Sequence, residues 1–246
     1  MSDEPIPAAT LVLVRDAAAG PPELLMVERA AGMAFAGGAL VFPGGRIDEG
    51  DRAGAQGLAD GAARVAAIRE TIEETAIPAG IQLMPPVEQA LAMQRALVAD
   101  QSFADLLDAA GLSLDLAALT PLARWLPNFH VTRRFDTLFF IARAPRGERQ
   151  PNVIPGECSG ASWLTAAEAL ERERRGEARL IFPTRRNLER LALHESFDAM
   201  RADAAGHPIE PITPWVEELD GDRFITIPDH LGYPVTREKL DGLWRG

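Results

Sequence analysis

Lysine is almost missing from this chain. Among 246 residues only Lys239, in "REKL", carries an ammonium, so nearly all the basic charge is arginine. A phosphate-binding loop ending Gly-Lys-Ser/Thr is therefore excluded. A Gly-x-Gly-x-x-Gly fingerprint and a Gly-x-Ser-x-Gly elbow are absent as well. Cysteine is nearly as scarce: with Cys158 alone there is no intrachain disulfide, and a reducing compartment fits best. The four histidines are scattered, and no Cys/His cluster has zinc-ligand spacing. Positive charge is short overall, 25 basic against 36 acidic residues for a net charge of −11, which argues against nucleic acid or an anionic membrane as partner. The charge-free run "AAGMAFAGGALVFPGG" is broken by glycine and shorter than the about 20 apolar residues a spanning helix needs. The amino terminus, "MSDEPIPAAT", lacks the basic start and apolar run of a signal peptide. A soluble cytoplasmic protein is the expectation, with its chemistry left to carboxylates and arginines.

What is present is enough apolar residue, 47%, for a sizeable core. "TLVLVRD" (10–16) and "ELLMVERA" (23–30) read as strands joined by a Gly-Pro-Pro turn, and "ALVFPGG" (39–45) as a third strand. Residues 46–61 read as a polar, glycine-rich loop. A helix is predicted from about Asp60, as N-cap, to about Ala76, with Val65, Ile68 and Ile72 on the face that packs on a sheet. Residues 84–118 have helical periodicity with a stop at Gly111, a helical insertion because strands resume at 122–128 and 135–144. A further strand is predicted at 161–165, then a helix, a second helix over 183–204 and a last strand at 223–228. The expectation is one α/β (α+β) domain over 1–246, with a C-terminal extension from about 196.

The stretch "AAIRETIEETAI" (66–77) is the informative one. On a helix, Glu73 lies about −60° and Glu74 about +40° from Glu70, so three carboxylates share an arc of roughly 100°. Exposed, such a cluster repels itself by a few tenths of a kcal/mol per pair. A solvated acidic face is the ordinary explanation, whereas a hard divalent cation, which takes oxygen ligands, would reverse the sign. The glycine turn of "VFPGG", where the backbone permits close approach, precedes that helix and favours the second explanation.

"GGRIDEGD" (44–51) followed by "REtIEEtaI" (69–77) resembles the Nudix box of the Nudix hydrolases. Gly45, Arg69, Glu70, Glu73, Glu74 and Ile77 match it. Asp51 stands where the first glutamate belongs, residues 52–68 separate it from Arg69 where the family has seven residues, Thr71 occupies an apolar position, and Ala76 replaces the final glycine. The insertion falls before the helix, where added loop length is cheap. Upstream, "LLMVERAAGMAFAGGALVFPGG" (24–45) is similar to the element found in coenzyme A diphosphatases, including Arg29, although Ala34 replaces its second arginine. The layout over roughly 9–195 is similar to the peroxisomal branch with an expanded box, but the chain ends "LWRG" without the peroxisomal address.

The resemblance implies a Nudix fold, a mixed sheet sandwiched between helices, and metal-dependent hydrolysis of a pyrophosphate in a nucleoside diphosphate linked to another moiety. Coenzyme A or an acyl-coenzyme A is one such substrate; ADP-ribose or an NADH-type dinucleotide is another, and a non-hydrolytic nucleotide-sensing module is the alternative from a different class. It implies Mg²⁺ or Mn²⁺ held by Glu70, Glu73, Glu74 and the Gly45 carbonyl, with Arg69 orienting a glutamate. The general base is a box glutamate, Glu73 or Glu74, or one on a later loop, for which Glu157 is the candidate; an exposed loop residue is the other reading of Glu157. Arg29, Arg133 and Arg134 are candidates to grip phosphate, unless one of the last two pairs with Asp136. A homodimer is common in the family. Phe42, Phe135, Phe139 and Phe140 are expected in the core.

Overall fold

The structure, a computed structural model, describes residues 4–33, 36–128, 134–147 and 149–240. Its centre is β1 (Ile6–Arg15), which lies antiparallel to β2 (Glu23–Arg29) and parallel to the later β6 (Phe135–Arg143). The predicted third strand is two short pieces, β3 (Leu40–Val41) on β2 and β4 (Gly44–Arg46) on β1, because Pro43 interrupts the ladder between them. Then come α1 (Glu49–Ala53), α2 (Gly61–Thr75), α3 (Val87–Val98), α4 (Phe103–Ala110) and β5 (Thr120–Trp125), the last antiparallel to β6. After β6 follow β7 (Cys158–Thr165) on β2, α5 (Ala166–Arg174), α6 (Phe182–Leu191), α7 (Phe197–Ala205) and β8 (Pro211–Ile212) on β5. The main sheet is mixed, ordered β3-β2-β1-β6-β5-β8, with β4 and β7 off that path. Three strands, β9 (Trp215–Leu219), β10 (Asp222–Thr226) and β11 (Arg237–Lys239), form a separate antiparallel sheet.

Alternation along β1 and β2 sorts side chains to the two faces of the sheet. Leu11, Leu13 and Leu25 pack with Val65, Ile68 and Ile72 of α2 and with the α3–α4 insertion. Val12, Val14, Leu24 and Met26 pack with α5, α6, α7 and with Ile212, Ile227, Leu231 and Tyr233 of the C-terminal region. Helices thus cover both faces, as predicted, and no helix among the described residues is long and apolar enough to cross a membrane.

Three expectations need correction. The loop at 46–61 contains α1, closed by a reciprocal cap between Asp48 and Asp51. The single helix at 183–204 is two, since the chain turns at residues 192–196 and Ser196 caps α7 through the Ala199 amide. The last strand at 223–228 is one of three, in a sheet that was not anticipated.

Candidate active site

Helix α2 packs against β1 and β4, so its acidic face meets the glycine turn. Fit at that turn is tight: a methyl on Gly45 would press on the Glu70 carboxylate, and one on Gly44 would stand 2.5 Å from the Ala9 carbonyl oxygen. Only glycine lets α2 approach so closely. The Gly44 amide donates to Glu74 Oε2 at 3.1 Å, and the Cys158 thiol lies 3.4 Å from Glu74 Oε1, so Glu74 is held at both oxygens.

Arg69 organises the other carboxylates. Its Nε and Nη2 grip both oxygens of Asp51 at 3.0 Å, Nη1 reaches Glu70 at 2.9 Å and Glu73 at 3.3 Å, and Nη2 also donates to the Arg46 carbonyl. Asp51 is buried at 1% exposure and accepts the Asp48 amide as well. With both oxygens taken by Arg69, Asp51 supports that arginine from behind the other carboxylates. Burial works to lower the Arg69 pKa, but Asp51 and Glu70 outweigh that and hold it raised.

Burial pushes the Glu70 carboxyl up to about 8, against the pull of Arg69 and with help from Glu74 and Glu73. Burial likewise pushes Glu74 up to about 7, opposed by the Gly44 amide and by Arg29. Glu73 is raised too, by burial first and then by the charge of Glu157, with Arg69 opposing. Among the described residues no three His, Cys, Asp or Glu side chains converge as a ready metal cage. Glu70 and Glu73 turn to Arg69, and Glu74 to Gly44 and Cys158. The donor set nonetheless fits a hard divalent cation: every candidate ligand is an oxygen, and burial makes Glu70, Glu73 and Glu74 costly as bare anions.

Beside this face lies a cavity of about 1080 Å³. Gly45, Glu70, Glu73, Arg69 and Arg29 line it, and so does Glu157, which is exposed at the start of β7. Glu157 therefore faces the same space as Glu70 and Glu73, whereas the buried Glu74 is not on the lining. Arg133 lies outside the described residues, and Arg134 is not on the lining. Asp136 is engaged by the fork of Arg124, at 2.8 and 2.6 Å. The aromatic residues play a double part: Phe42 and Phe139 are buried as expected, yet with Phe135 they also form cavity wall.

Sequence reasoning missed Trp125 and the segment 179–185, which reach the cavity only through the folding of the second helical layer. It also missed the contact of Cys158 with Glu74, whose sole signal was adjacency to Glu157.

No known family profile matches this chain. Among solved structures it is similar to a NUDIX hydrolase from Alicyclobacillus acidocaldarius, at 29% identity over 80% of this chain and 96% of that one, with a TM-score of 0.71. A looser likeness is to the NUDIX domain of Shewanella oneidensis NrtR, solved with ADP ribose, at 16% identity over 76% of this chain and 86% of that one, TM-score 0.47. Another is to a MutT NUDIX hydrolase from Burkholderia pseudomallei, at 18% identity over 76% and 98%, TM-score 0.40. The fold is the Nudix fold, and the first likeness supports a Nudix pyrophosphohydrolase.

Proposed function

We propose that this chain, as one Nudix domain, hydrolyses the pyrophosphate of a nucleoside diphosphate linked to another moiety, with coenzyme A or an acyl-coenzyme A first among the substrates. The observation that carries the reading is Glu70 and Glu74 seated against Gly45 and Gly44, with Glu70 and Glu73 on the wall of a large cavity. Glu70, Glu73, Glu74 and the Gly45 carbonyl would hold Mg²⁺ or Mn²⁺, which supplies charge neutralisation at the phosphoryl group and a more acidic water.

The chain's own residues do the rest. Arg69, anchored by buried Asp51, fixes the rotamers of Glu70 and Glu73. Arg29, on the cavity wall, draws the phosphates in and leaves Glu157 or a box glutamate to take the proton from the attacking water. Water adds to one phosphorus, the bridging P–O bond breaks, and the departing phosphate keeps that electron pair.

The test is turnover of coenzyme A, NADH, ADP-ribose and nucleoside triphosphates with Mg²⁺ or Mn²⁺. Glu73→Gln and Glu74→Gln should each fold and lose at least about a hundredfold in turnover. Full activity in chelator, or in both variants, would overturn the reading, and nucleotide binding without turnover would move the chain to the sensing class.

A further inference from the structure

We propose that the same cavity holds a second anion site, built by Arg179 and the first turn of α6, which takes a phosphate monoester of the substrate remote from the bond that is cut. The proposal deepens, and rests on, the pyrophosphohydrolase reading.

Five arginines among the described residues line the cavity: Arg29, Arg46, Arg69, Arg179 and Arg185. Arg69 is consumed by Asp51, Glu70 and Glu73, and Arg185 by Glu173 at 2.8 and 2.7 Å together with Glu238. Arg29 lies close enough to Glu74 to favour its ionised form. Arg179 differs. Its exposed side chain has no hydrogen bond or ion pair among the described residues, while its backbone is pinned beside β3, the carbonyl accepting from the Leu40 amide at 2.8 Å. A fixed backbone that carries an uncommitted guanidinium over a cavity is suited to phosphate, which the guanidinium fork can bind through two parallel hydrogen bonds.

The chain then runs along the wall into α6, a helix of 10 residues. Ile181, its N-cap, offers no side-chain acceptor to the first turn, and although Pro183 has no amide to donate, the positive end of the helix favours an anion there. Thr184, in that turn and on the cavity wall, is 2% exposed, and its hydroxyl makes no hydrogen bond among the described residues. On the cavity wall that hydroxyl can donate to a ligand oxygen. The nearby carboxylate of Glu173 does not oppose an anion, since Arg185 forks onto it.

Placement gives the substrate class. Helix α2 packs on one face of the main sheet and α6 on the other, yet both line the one cavity. A ligand that reaches both is extended, with its pyrophosphate at the carboxylates and a second phosphate at Arg179. Coenzyme A has such a group; ADP-ribose and NADH do not.

The experiment is equilibrium binding in chelator, without turnover, of adenosine 3′,5′-bisphosphate and adenosine 5′-monophosphate. The wild-type chain should prefer the bisphosphate by at least about tenfold, or about 1.4 kcal/mol. Arg179→Gln, an exposed and fold-neutral change, should erase the preference, and Thr184→Val should reduce it. Equal affinities in the wild type, no binding of either nucleotide, or a preference that survives Arg179→Gln would each overturn the site. Because the readout needs no hydrolysis, failure of the enzymatic reading would be seen separately, as absent turnover with the preference intact.

Discussion

At the scale of single residues, Gly44 and Gly45 are neighbours that resist a side chain for different reasons. A Cβ on Gly44 would stand 2.5 Å from a backbone oxygen of β1 and 2.6 Å from Thr10 Oγ1, and a paired strand does not move aside easily. A Cβ on Gly45 would meet only the carboxylate end of Glu70, which can swing away. Gly44→Ala should therefore destabilise the fold by about 1–3 kcal/mol, the usual range for overpacking. Gly45→Ala should change stability by less than about 1 kcal/mol, because the obstacle is a rotamer, but should displace Glu70 and weaken divalent-cation binding. Denaturant titration and calorimetric Mn²⁺ binding separate the two. Equal stability losses would show that the turn is a packing feature alone.

At the scale of elements, α2 ends in a left-handed residue, Ala76, at φ 56° and ψ 16°, whose amide closes the helix on the Ile72 carbonyl. The backbone takes the left-handed conformation that favours glycine, with an alanine in it. Replacing Ala76 by Gly relieves about 1–2 kcal/mol of strain, loses a buried methyl of about 0.8 kcal/mol and adds chain entropy of about 0.5–1 kcal/mol. The net change should lie within about 1 kcal/mol of zero. Ala76→Val, β-branched in the same conformation and 7% exposed, should lose more than about 2 kcal/mol. Thermal unfolding of both variants is the check, and an unperturbed Ala76→Val would mean the cap is looser than drawn. Elements such as α2 were legible because local signals agree: helical spacing, Asp60 before the start and Pro78 beyond the end. Even there Asp60 spends its carboxylate on Arg64 rather than on the cap. The break between α6 and α7 was not legible, because apolar residues recur at helical spacing across it and Ser196 is an N-cap only once the chain has turned. Nor was the role of Asp51, whose partner lies 18 residues away and is brought to it by folding. The carboxylate half of the site could be read, since its spacing lies on one helix, whereas the wall at 179–185 depends on how two layers meet.

At the scale of the whole molecule, the C-terminal region forms the back of the cavity wall. Trp125, on the lining and 1% exposed, donates its indole N–H to the Tyr233 hydroxyl at 3.2 Å, and that hydroxyl donates to Asn187 of α6 at 2.8 Å. The rings of Tyr233 and Phe182 both meet Trp125 edge to face, at 5.6 and 5.8 Å between centroids. Burial pushes the Tyr233 phenol up to about 12, with Arg190 and Trp125 opposing, so it remains a donor across the working range of pH. One hydroxyl thus joins β5, α6 and the C-terminal segment behind the wall that a substrate would touch. Tyr233→Phe keeps the ring and deletes the joint, leaving the Trp125 N–H and Asn187 Oδ1 buried without it. The loss should be about 1–3 kcal/mol, the penalty for unpaired buried polar groups. Because Trp125 and Phe182 line the cavity while the carboxylates sit on the other layer, the kinetic effect should fall on KM, with kcat nearly kept. Denaturant unfolding followed by tryptophan fluorescence reads the first effect, and steady-state kinetics on the best substrate reads the second. A fall in kcat at constant KM would instead mean that the two layers are coupled and that the C-terminal region reaches the carboxylates through the sheet.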